Sequence, residues 1–264
     1  MKERQTHLVE LLKGHTAVIT MNRPKILNCL DLDSMSELSE IFDELKENED
    51  VRTIIITGAG DKAFCAGDDV KPMVNLNPKE AREWVNFGQQ LMHKIEEFEK
   101  PIFAAVNGYA MGGGIEMALA CDFRVASLKA KFGVPEVKIG MCPAFGGGQR
   151  LTRLVGTGMA KWLTLSGCTI DAQEAYRIGL AEFLAPQEEL LEQTLRLADE
   201  LNARSQVAVR MSKVIINYGR DMDIRTACRY EGFVAAECYA SEDQREGMQA
   251  FVEKRPPSFT GKYK

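Results

Sequence analysis

The sequence predicts an α/β fold in which a β/α core is followed by a helical C-terminal region. Buried-strand patterns, such as the three consecutive isoleucines of RTIIIT (52–57), alternate with amphipathic helical patterns in the first part of the chain. After about residue 146 strands become rare and helical patterns follow one another. No low-complexity linker separates the two parts, so we expect them to pack together. With 264 residues, of which 45% are hydrophobic, the chain can form a large core without disulfides or metals.

The first third of the chain has the patterns of two strands, a helix and a third strand. HLVELL (7–12) and TAVITMN (16–22) are β-rich runs separated by a Lys-Gly pair. Apolar residues at helical spacing predict a helix over 34–45, and 52–57 is the buried strand. The glycine- and aspartate-rich segment GAGDKAFCAGDD (58–69) is predicted to form a long loop.

The same hydrophobic patterns assign strands and helices in the middle and at the end of the chain. An amphipathic helix over 80–99 ends at a Lys-Pro pair, and IFAAV (102–106) is the next buried strand. A loop and a glycine cluster lead into a helix from about residue 114, and DFRVAS (122–127) is a short strand. The remainder predicts one strand at 180–185 and helices at 149–154, 159–165, 172–177, 187–203, 207–218, 224–239 and 242–253.

The composition excludes several classes of function. The net charge of −5 gives no basic face of the kind that binds nucleic acid. The most apolar stretch, 103–120, contains an asparagine, a glutamate and four glycines, so we expect no membrane span. The N-terminal segment is charged and lacks the apolar run of a signal peptide. The seven cysteines form no CxxC pair, which indicates reduced thiols and a cytoplasmic location.

Short catalytic motifs are also missing. The chain has no GxxxxGK[ST] phosphate loop, no GxGxxG at its first strand–helix turn, no HExxH and no GxSxG. The three histidines are too dispersed to form a metal cluster. We therefore predict neither a metal nor a bound cofactor.

Three segments combine glycines with carboxylates. In GYAMGGGIEMALACD (108–122), Glu116 is the one charge in a first helical turn that follows three glycines. Backbone N–H groups at a glycine-rich helix start can approach and stabilise a developing negative charge, and Glu116 would lie beside it. Taken alone, Glu116 is better explained as complementing the helix dipole, an effect of ~0.3–1 kcal/mol. The second segment, PEVKIGMCPAFGGG (135–148), carries Glu136, and the third, AFCAGDDV (63–70), offers a further N–H donor near Gly67.

Together these segments resemble the crotonase superfamily, the enoyl-CoA hydratase/isomerase group. The resemblance runs through ITMNRPKILNCLD (19–31), FCAGDDVK (64–71), KPIFAAVNGYAMGGGIEMALACDFRVAS (100–127), AKFGVPEVKIGMCPAFGGGQRL (130–151) and REGMQAFVEKR (245–255). It implies a crotonase-like spiral of ββα units over 1–200 and a C-terminal helical trimerisation region over 201–264. It also implies a homotrimer or a dimer of trimers.

The resemblance further implies an acyl-CoA thioester substrate, with coenzyme A present only as part of the substrate. It assigns the oxyanion hole to the backbone N–H groups of Asp68 and Gly113, and the acid/base pair of a hydratase to Glu116 and Glu136. The positions that it assigns to substrate or CoA binding are Arg23, Lys25, Ala66, Asp69, Lys71, Ala144 and Phe145. The expected reaction is reversible hydration of an enoyl-CoA to a 3-hydroxyacyl-CoA.

Two positions depart from the pattern of ordinary hydratases. Asp68 stands where alanine is common, and Phe145 stands where a small residue is common, which we interpret as a ring beside the water site. Both changes favour an unusual acyl group, such as a cyclic, branched or functionalised one. Isomerisation, decarboxylation and thioester hydrolysis on the same scaffold remain alternatives, as does a non-catalytic scaffold or RNA-binding homologue. The presence of both glutamates favours hydration.

Overall fold

The computed structural model describes residues 4–263 and is built around a six-stranded sheet. In spatial order its strands are β1 (His7–Leu12), β2 (Thr16–Met21), β3 (Thr53–Gly58), β5 (Ile102–Val106), β7 (Phe123–Ser127) and β10 (Phe183–Ala185). The β1–β2 pair is antiparallel and every other pair is parallel. Parallel strands are buried on both faces, which explains the continuous apolar runs in β3 and β5.

A second, four-stranded sheet contains none of the predicted strands. Its order is β4 (Ala63–Cys65), β6 (Tyr109–Met111), β8 (Lys131–Gly133) and β9 (Thr169–Asp171). The prediction that 58–69 is a loop throughout is therefore wrong, since that segment contains β4. Strands of three residues are too short to show an alternating pattern, so only their pairing partners in the fold define them.

The helices lie close to their predicted positions. They are α1 (Leu32–Glu47), α2 (Pro78–Glu96), α3 (Gly113–Ala120), α4 (Gly147–Val155), α5 (Thr157–Ser166), α6 (Ala172–Arg177), α7 (Leu190–Asn202), α8 (Gln206–Gly219), α9 (Ile224–Glu237) and α10 (Glu242–Glu253). Four 3₁₀ turns occur at Pro24–Ile26, Glu136–Ile139, Gln187–Glu189 and Cys238–Ala240. Within residues 4–263 no helix has the length and apolar character that a membrane crossing requires.

Helices cover both faces of the larger sheet. Side chains of β2, β3 and β5 on one face pack with α1, α2 and α3 in the main apolar core. On the other face Val18, Ile55 and Phe103 pack with Leu190 and Ala198 of α7. The α/β fold with C-terminal helices that the sequence predicted is thus confirmed.

Two buried asparagines join the loops at the carboxyl ends of the parallel strands. The Asn107 side chain accepts a hydrogen bond from Gly58 N–H (3.2 Å) and donates to the carbonyls of Gly58 and Gly60 (2.9 Å each). The Asn28 side chain donates to the carbonyls of Ala59 (3.1 Å) and Ala63 (2.8 Å). These bonds satisfy backbone groups in the turns between the two sheets and hold β4 next to β6.

The ring of Phe145 is buried against a glycine of α2. Phe145 is 2% exposed, and a Cβ on Gly88 would lie 2.3 Å from its ring. Gly88 therefore lets the loop before α4 pack closely on α2, although glycine within a helix is normally unfavourable.

We predict that Gly88→Ala destabilises the protein by ~1–3 kcal/mol, because the added methyl overlaps the Phe145 ring in a packed core. The measurement is the thermal unfolding midpoint at fixed protein concentration. The matched control is Gly158→Ala in α5, where an added Cβ meets nothing within 4 Å. Equal midpoints for the two variants would contradict the packing described.

Candidate active site

The start of α3 is held against the second sheet by close backbone contacts. All eight residues of α3 are buried, and a Cβ on Gly114 would lie 2.0 Å from the carbonyl oxygen of Cys65 in β4. Gly112, the N-cap, has a φ of +50°, which glycine adopts readily. The first N–H groups of α3, including that of Gly113, have no acceptor within the helix. They are available to a ligand at this point.

The loop after β4 brings Asp68 to the same point. Leu30 N–H donates to Gly67 O (2.8 Å) and Asp69 N–H donates to Leu30 O (2.7 Å), so Asp68 is flanked by backbone bonds to the segment before α1. Gly67 has a φ of +107°, and a Cβ there would lie 3.1 Å from Met111 O. The loop thus packs on the turn between β6 and α3. The Oδ2 atom of Asp68 is 3.0 Å from the position that a Cβ on Gly113 would occupy.

Glu116 is a buried carboxyl group held by two backbone donors. It is 2% exposed, and its Oε1 accepts hydrogen bonds from Phe145 N–H (2.8 Å) and Gly147 N–H (2.7 Å). Gly147 is the first residue of α4, so the carboxyl also meets the positive end of that helix. Burial nevertheless raises the pKa of Glu116 to about 8. The group can therefore exchange a proton near neutral pH.

Glu136 lies in a 3₁₀ turn and is close enough to Glu116 for its charge to raise the pKa of Glu116. Both of its carboxyl oxygens are buried, and neither has a hydrogen-bond partner among the described residues. Its Oε1 is 3.6 Å from the position of a Cβ on Gly112, so it lies next to the start of α3. Burial raises the pKa of Glu136. A buried carboxyl group without a partner is costly, which indicates a role in binding or catalysis.

Asp68 adds a third carboxyl group to this cluster. Its Oδ1 accepts a hydrogen bond from the indole Nε1 of Trp84 in α2 at 3.3 Å. Burial, with a smaller contribution from the charge of Glu136, raises the pKa of Asp68 to about 7. The charge of Glu136, and to a smaller extent that of Asp68, also raises the pKa of Glu116. The three groups therefore titrate as one coupled system.

The other predicted site residues are not all directed at this cluster. Arg23 forms an ion pair with Asp31 and donates to Cys29 O (2.7 Å). Lys25 and Lys71 are exposed, and Lys25 lines a shallow cavity of 260 Å³ together with Lys62 and the loop after β3. The remaining residues form hydrogen bonds within the loops. Ala66 N–H donates to Leu27 O (3.0 Å), and Ala144 O accepts from the Gln89 side chain (2.8 Å). The Asp69 carboxyl accepts from Lys71 N–H (3.1 Å).

Phe145 is placed differently from the sequence interpretation. Its ring packs on Gly88 inside the core, as described above, and only its backbone N–H reaches Glu116. The sequence suggested a large ring at this position but gave no sign that α2 provides a glycine to receive it.

Sequence reasoning missed Trp84 and the N–H group of Gly147. Trp84 is 5% exposed and belongs to the apolar face of α2, where a tryptophan is ordinarily a core residue. The glycine run 146–148 was a visible signal, but which of its N–H groups meets Glu116 depends on how α4 packs against α3. Within residues 4–263 no group of histidine, cysteine, aspartate and glutamate side chains is arranged to hold a metal ion.

Comparisons with known proteins agree with this geometry. The model of the enoyl-CoA hydratase/isomerase family matches residues 12–262. A crotonyl-CoA hydratase of Syntrophomonas wolfei subsp. wolfei is 47% identical over 93% of this chain and 95% of its own length. A short-chain-enoyl-CoA hydratase of Clostridium acetobutylicum is 44% identical over 92% of this chain and 93% of its own length.

A solved structure shows the same fold over almost the whole chain. The enoyl-CoA hydratase from Bacillus anthracis superposes with a TM-score of 0.94 and is 38% identical, covering 98% of this chain and 100% of its own. The spiral of short ββα units and the terminal helices are therefore those of the crotonase fold, and the chain belongs to the enoyl-CoA hydratase/isomerase family.

Proposed function

We propose that this protein adds water reversibly to the α,β double bond of a short-chain enoyl-CoA, giving a 3-hydroxyacyl-CoA. The observation that supports this most strongly is the pair of buried carboxyl groups, Glu116 and Glu136, beside the open start of α3. Relatives named crotonyl-CoA hydratase and short-chain-enoyl-CoA hydratase support the choice of reaction and of a short acyl group.

The backbone N–H groups of Asp68 and Gly113 are proposed as the donors for the thioester oxygen. Addition of water at the β-carbon shifts electrons onto this oxygen and gives an enolate, which needs stabilisation. Loss of one donor of this kind typically costs ~3 kcal/mol of transition-state stabilisation. The start of α3 adds the positive end of a helix dipole at the same place.

Glu116 is proposed as the general base and Glu136 as the general acid. The ionised Glu116 takes a proton from water as the oxygen bonds to the β-carbon, and the neutral Glu136 gives its proton to the α-carbon. Two N–H groups from another segment donate to Glu116 and favour its ionised form, whereas no other described residue donates a hydrogen bond to the Glu136 carboxyl. The difference in environment supports the division of roles.

Coenzyme A is proposed to bind through the cationic surface beside these loops. Lys25 and Lys71 are exposed and available to phosphate groups, whereas Arg23 is paired with Asp31 and positions the segment before α1. We propose that Ala66, Asp69 and Ala144 surround the thioester through the loops that carry them. Phe145 contributes its backbone rather than its ring, since the ring is buried.

We also propose that the chain forms a trimer or a dimer of trimers through the helices after residue 200. Large apolar side chains on α9 and α10 are exposed in the single chain, among them Phe233 (76%) and Phe251 (86%). Such exposure is unusual for a monomer and fits a subunit interface. A cytoplasmic location is supported by seven cysteines that form no disulfide.

We expect Glu116→Gln and Glu136→Gln each to lower the kcat of crotonyl-CoA hydration by about 10²–10⁴-fold, because each removes one proton-transfer group. The measurement is the loss of absorbance of the conjugated thioester. Glu200→Gln, an exposed carboxyl in α7, is the control and should leave the rate unchanged. Near wild-type turnover in either active-site variant would show that the assigned role is wrong.

The buried Glu116 carboxyl should also make stability depend on pH. Its pKa is about 8 in the folded chain against an ordinary value of 4.5, so the folded state binds this proton more tightly. The stability contributed is complete below the ordinary pKa and is lost as pH rises through the folded pKa. The unfolding midpoint of Glu116→Gln minus that of wild type should therefore be larger at about pH 9 than at about pH 5. An equal difference between the two proteins at both pH values would contradict the raised pKa.

A further inference from the structure

The side chain of Asp68 lies in the site as well as its backbone. Its Oδ2 is 3.0 Å from the position of a Cβ on Gly113, the residue proposed as the second oxyanion donor. Its Oδ1 is held by Trp84 Nε1–H from α2. The carboxyl group is thus fixed in orientation, with Oδ2 against the α-carbon of Gly113.

The protonation state of this carboxyl group decides whether it helps or opposes the reaction. An ionised Asp68 would place negative charge beside the thioester oxygen just where the enolate charge develops, and like charges at this distance repel strongly in a buried site. A neutral Asp68 instead offers an O–H donor. Because Trp84 donates to Oδ1, the proton is better placed on Oδ2, the oxygen nearer Gly113.

We infer that the Asp68 carboxyl group, in its protonated form, is a catalytic residue that gives the thioester oxygen a third hydrogen bond beside the N–H groups of Asp68 and Gly113. The inference rests on the proposed hydration. The Asp68 proton stays on Oδ2 throughout, so the water proton still goes to Glu116 and the α-carbon proton still comes from Glu136. A neutral buried carboxylic acid is an established kind of oxyanion-hole donor.

The surroundings of Asp68 favour the neutral form. Burial raises its pKa to about 7, Glu136 on the 3₁₀ turn contributes to a smaller extent when it is ionised, and Asp68 in turn raises the pKa of Glu116 on α3. On its own loop the nearest titratable neighbour is Asp69. The segment before α1 presents Cys29 and Arg23. Burial, and then the charges of Asp69 and Asp68, raise the pKa of Cys29, and Arg23 is paired with Asp31. From α2 the partner is the uncharged Trp84.

Trp84 is a positioning residue in this arrangement. The indole N–H also stabilises the ionised form of Asp68, since its hydrogen bond lowers the pKa of Asp68 against the raising effect of burial. Its positioning effect is geometric, because it holds one carboxyl oxygen and leaves the other to the substrate.

Two variants of Asp68 separate its possible roles. Asp68→Asn keeps a planar side chain with an N–H donor and an oxygen for Trp84, and it cannot ionise. Asp68→Ala removes the donor. The rates of crotonyl-CoA hydration are measured from about pH 6 to about pH 9, across the range in which Asp68 titrates. Asp33→Asn, an exposed carboxyl in the first turn of α1, is the control and should keep the wild-type profile.

At about pH 6 we expect Asp68→Ala to lower kcat about 10-fold or more with little change in KM, while Asp68→Asn stays within about 3-fold of wild type. Towards about pH 9 wild type should lose activity relative to Asp68→Asn, because only the wild-type group becomes an anion beside the enolate. A single cooperative unfolding transition in each variant, as in wild type, confirms that the variants are folded.

Three results would overturn the inference. An alanine variant as fast as wild type, or faster, would show that the carboxyl group is idle or obstructive. Loss of activity in folded alanine and asparagine variants alike would show that an ionisable acid, rather than a hydrogen-bond donor, is needed. These two outcomes leave the proposed hydration standing. If wild type hydrates no enoyl-CoA, the proposed function and this inference both fail.

Discussion

The close docking of α3 on β4 is the constraint on which the site depends. Gly114 leaves no room for a Cβ against the carbonyl of Cys65, and Gly108 leaves none against the carbonyl of Lys62. These contacts bring the second sheet close to the start of α3, where we propose that N–H groups from two separate segments act together. Neither segment could form this arrangement alone, because each leaves its own donors unsatisfied. On the proposed function, the two-sheet architecture is therefore what would make an anion-stabilising site out of ordinary backbone.

The same closeness forces three carboxyl groups into one buried region. Glu116 is stabilised there by two backbone donors, Asp68 by one indole, and Glu136 by no described residue. Uncharged side chains in place of these carboxyl groups would make the folded protein more stable at neutral pH, since burial raises the pKa of all three groups. A cost in stability of this kind is expected where acid and base forms must coexist near neutral pH. The rigid contacts around the cluster, such as Phe145 on Gly88, hold the groups at their positions in spite of that cost.

The sequence predicted the long elements and the chemistry more completely than the tertiary contacts. Three consecutive isoleucines identified β3, five consecutive apolar residues identified β5, and helical spacing identified α1 and α2, because those signals are local. The three-residue strands β4, β6, β8 and β9 have no periodic signal and were missed. Glu116, Glu136 and the loop at Asp68 were visible as carboxylates next to glycines, and the family resemblance gave them roles that remain proposals. The pairing of Trp84 with Asp68 and of Phe145 with Gly88 joins residues on different elements, so no local pattern could predict either contact.

The central claim is that the backbone donors at Asp68 and Gly113 polarise the thioester carbonyl. Its most direct test is the infrared stretching frequency of that carbonyl in bound butyryl-CoA, a saturated and unreactive analogue labelled with ¹³C at the carbonyl carbon. Strong hydrogen bonds weaken the carbonyl bond, so the frequency should be lower in the complex than in free butyryl-CoA in water. A frequency equal to or higher than that in water would contradict an oxyanion hole at the start of α3.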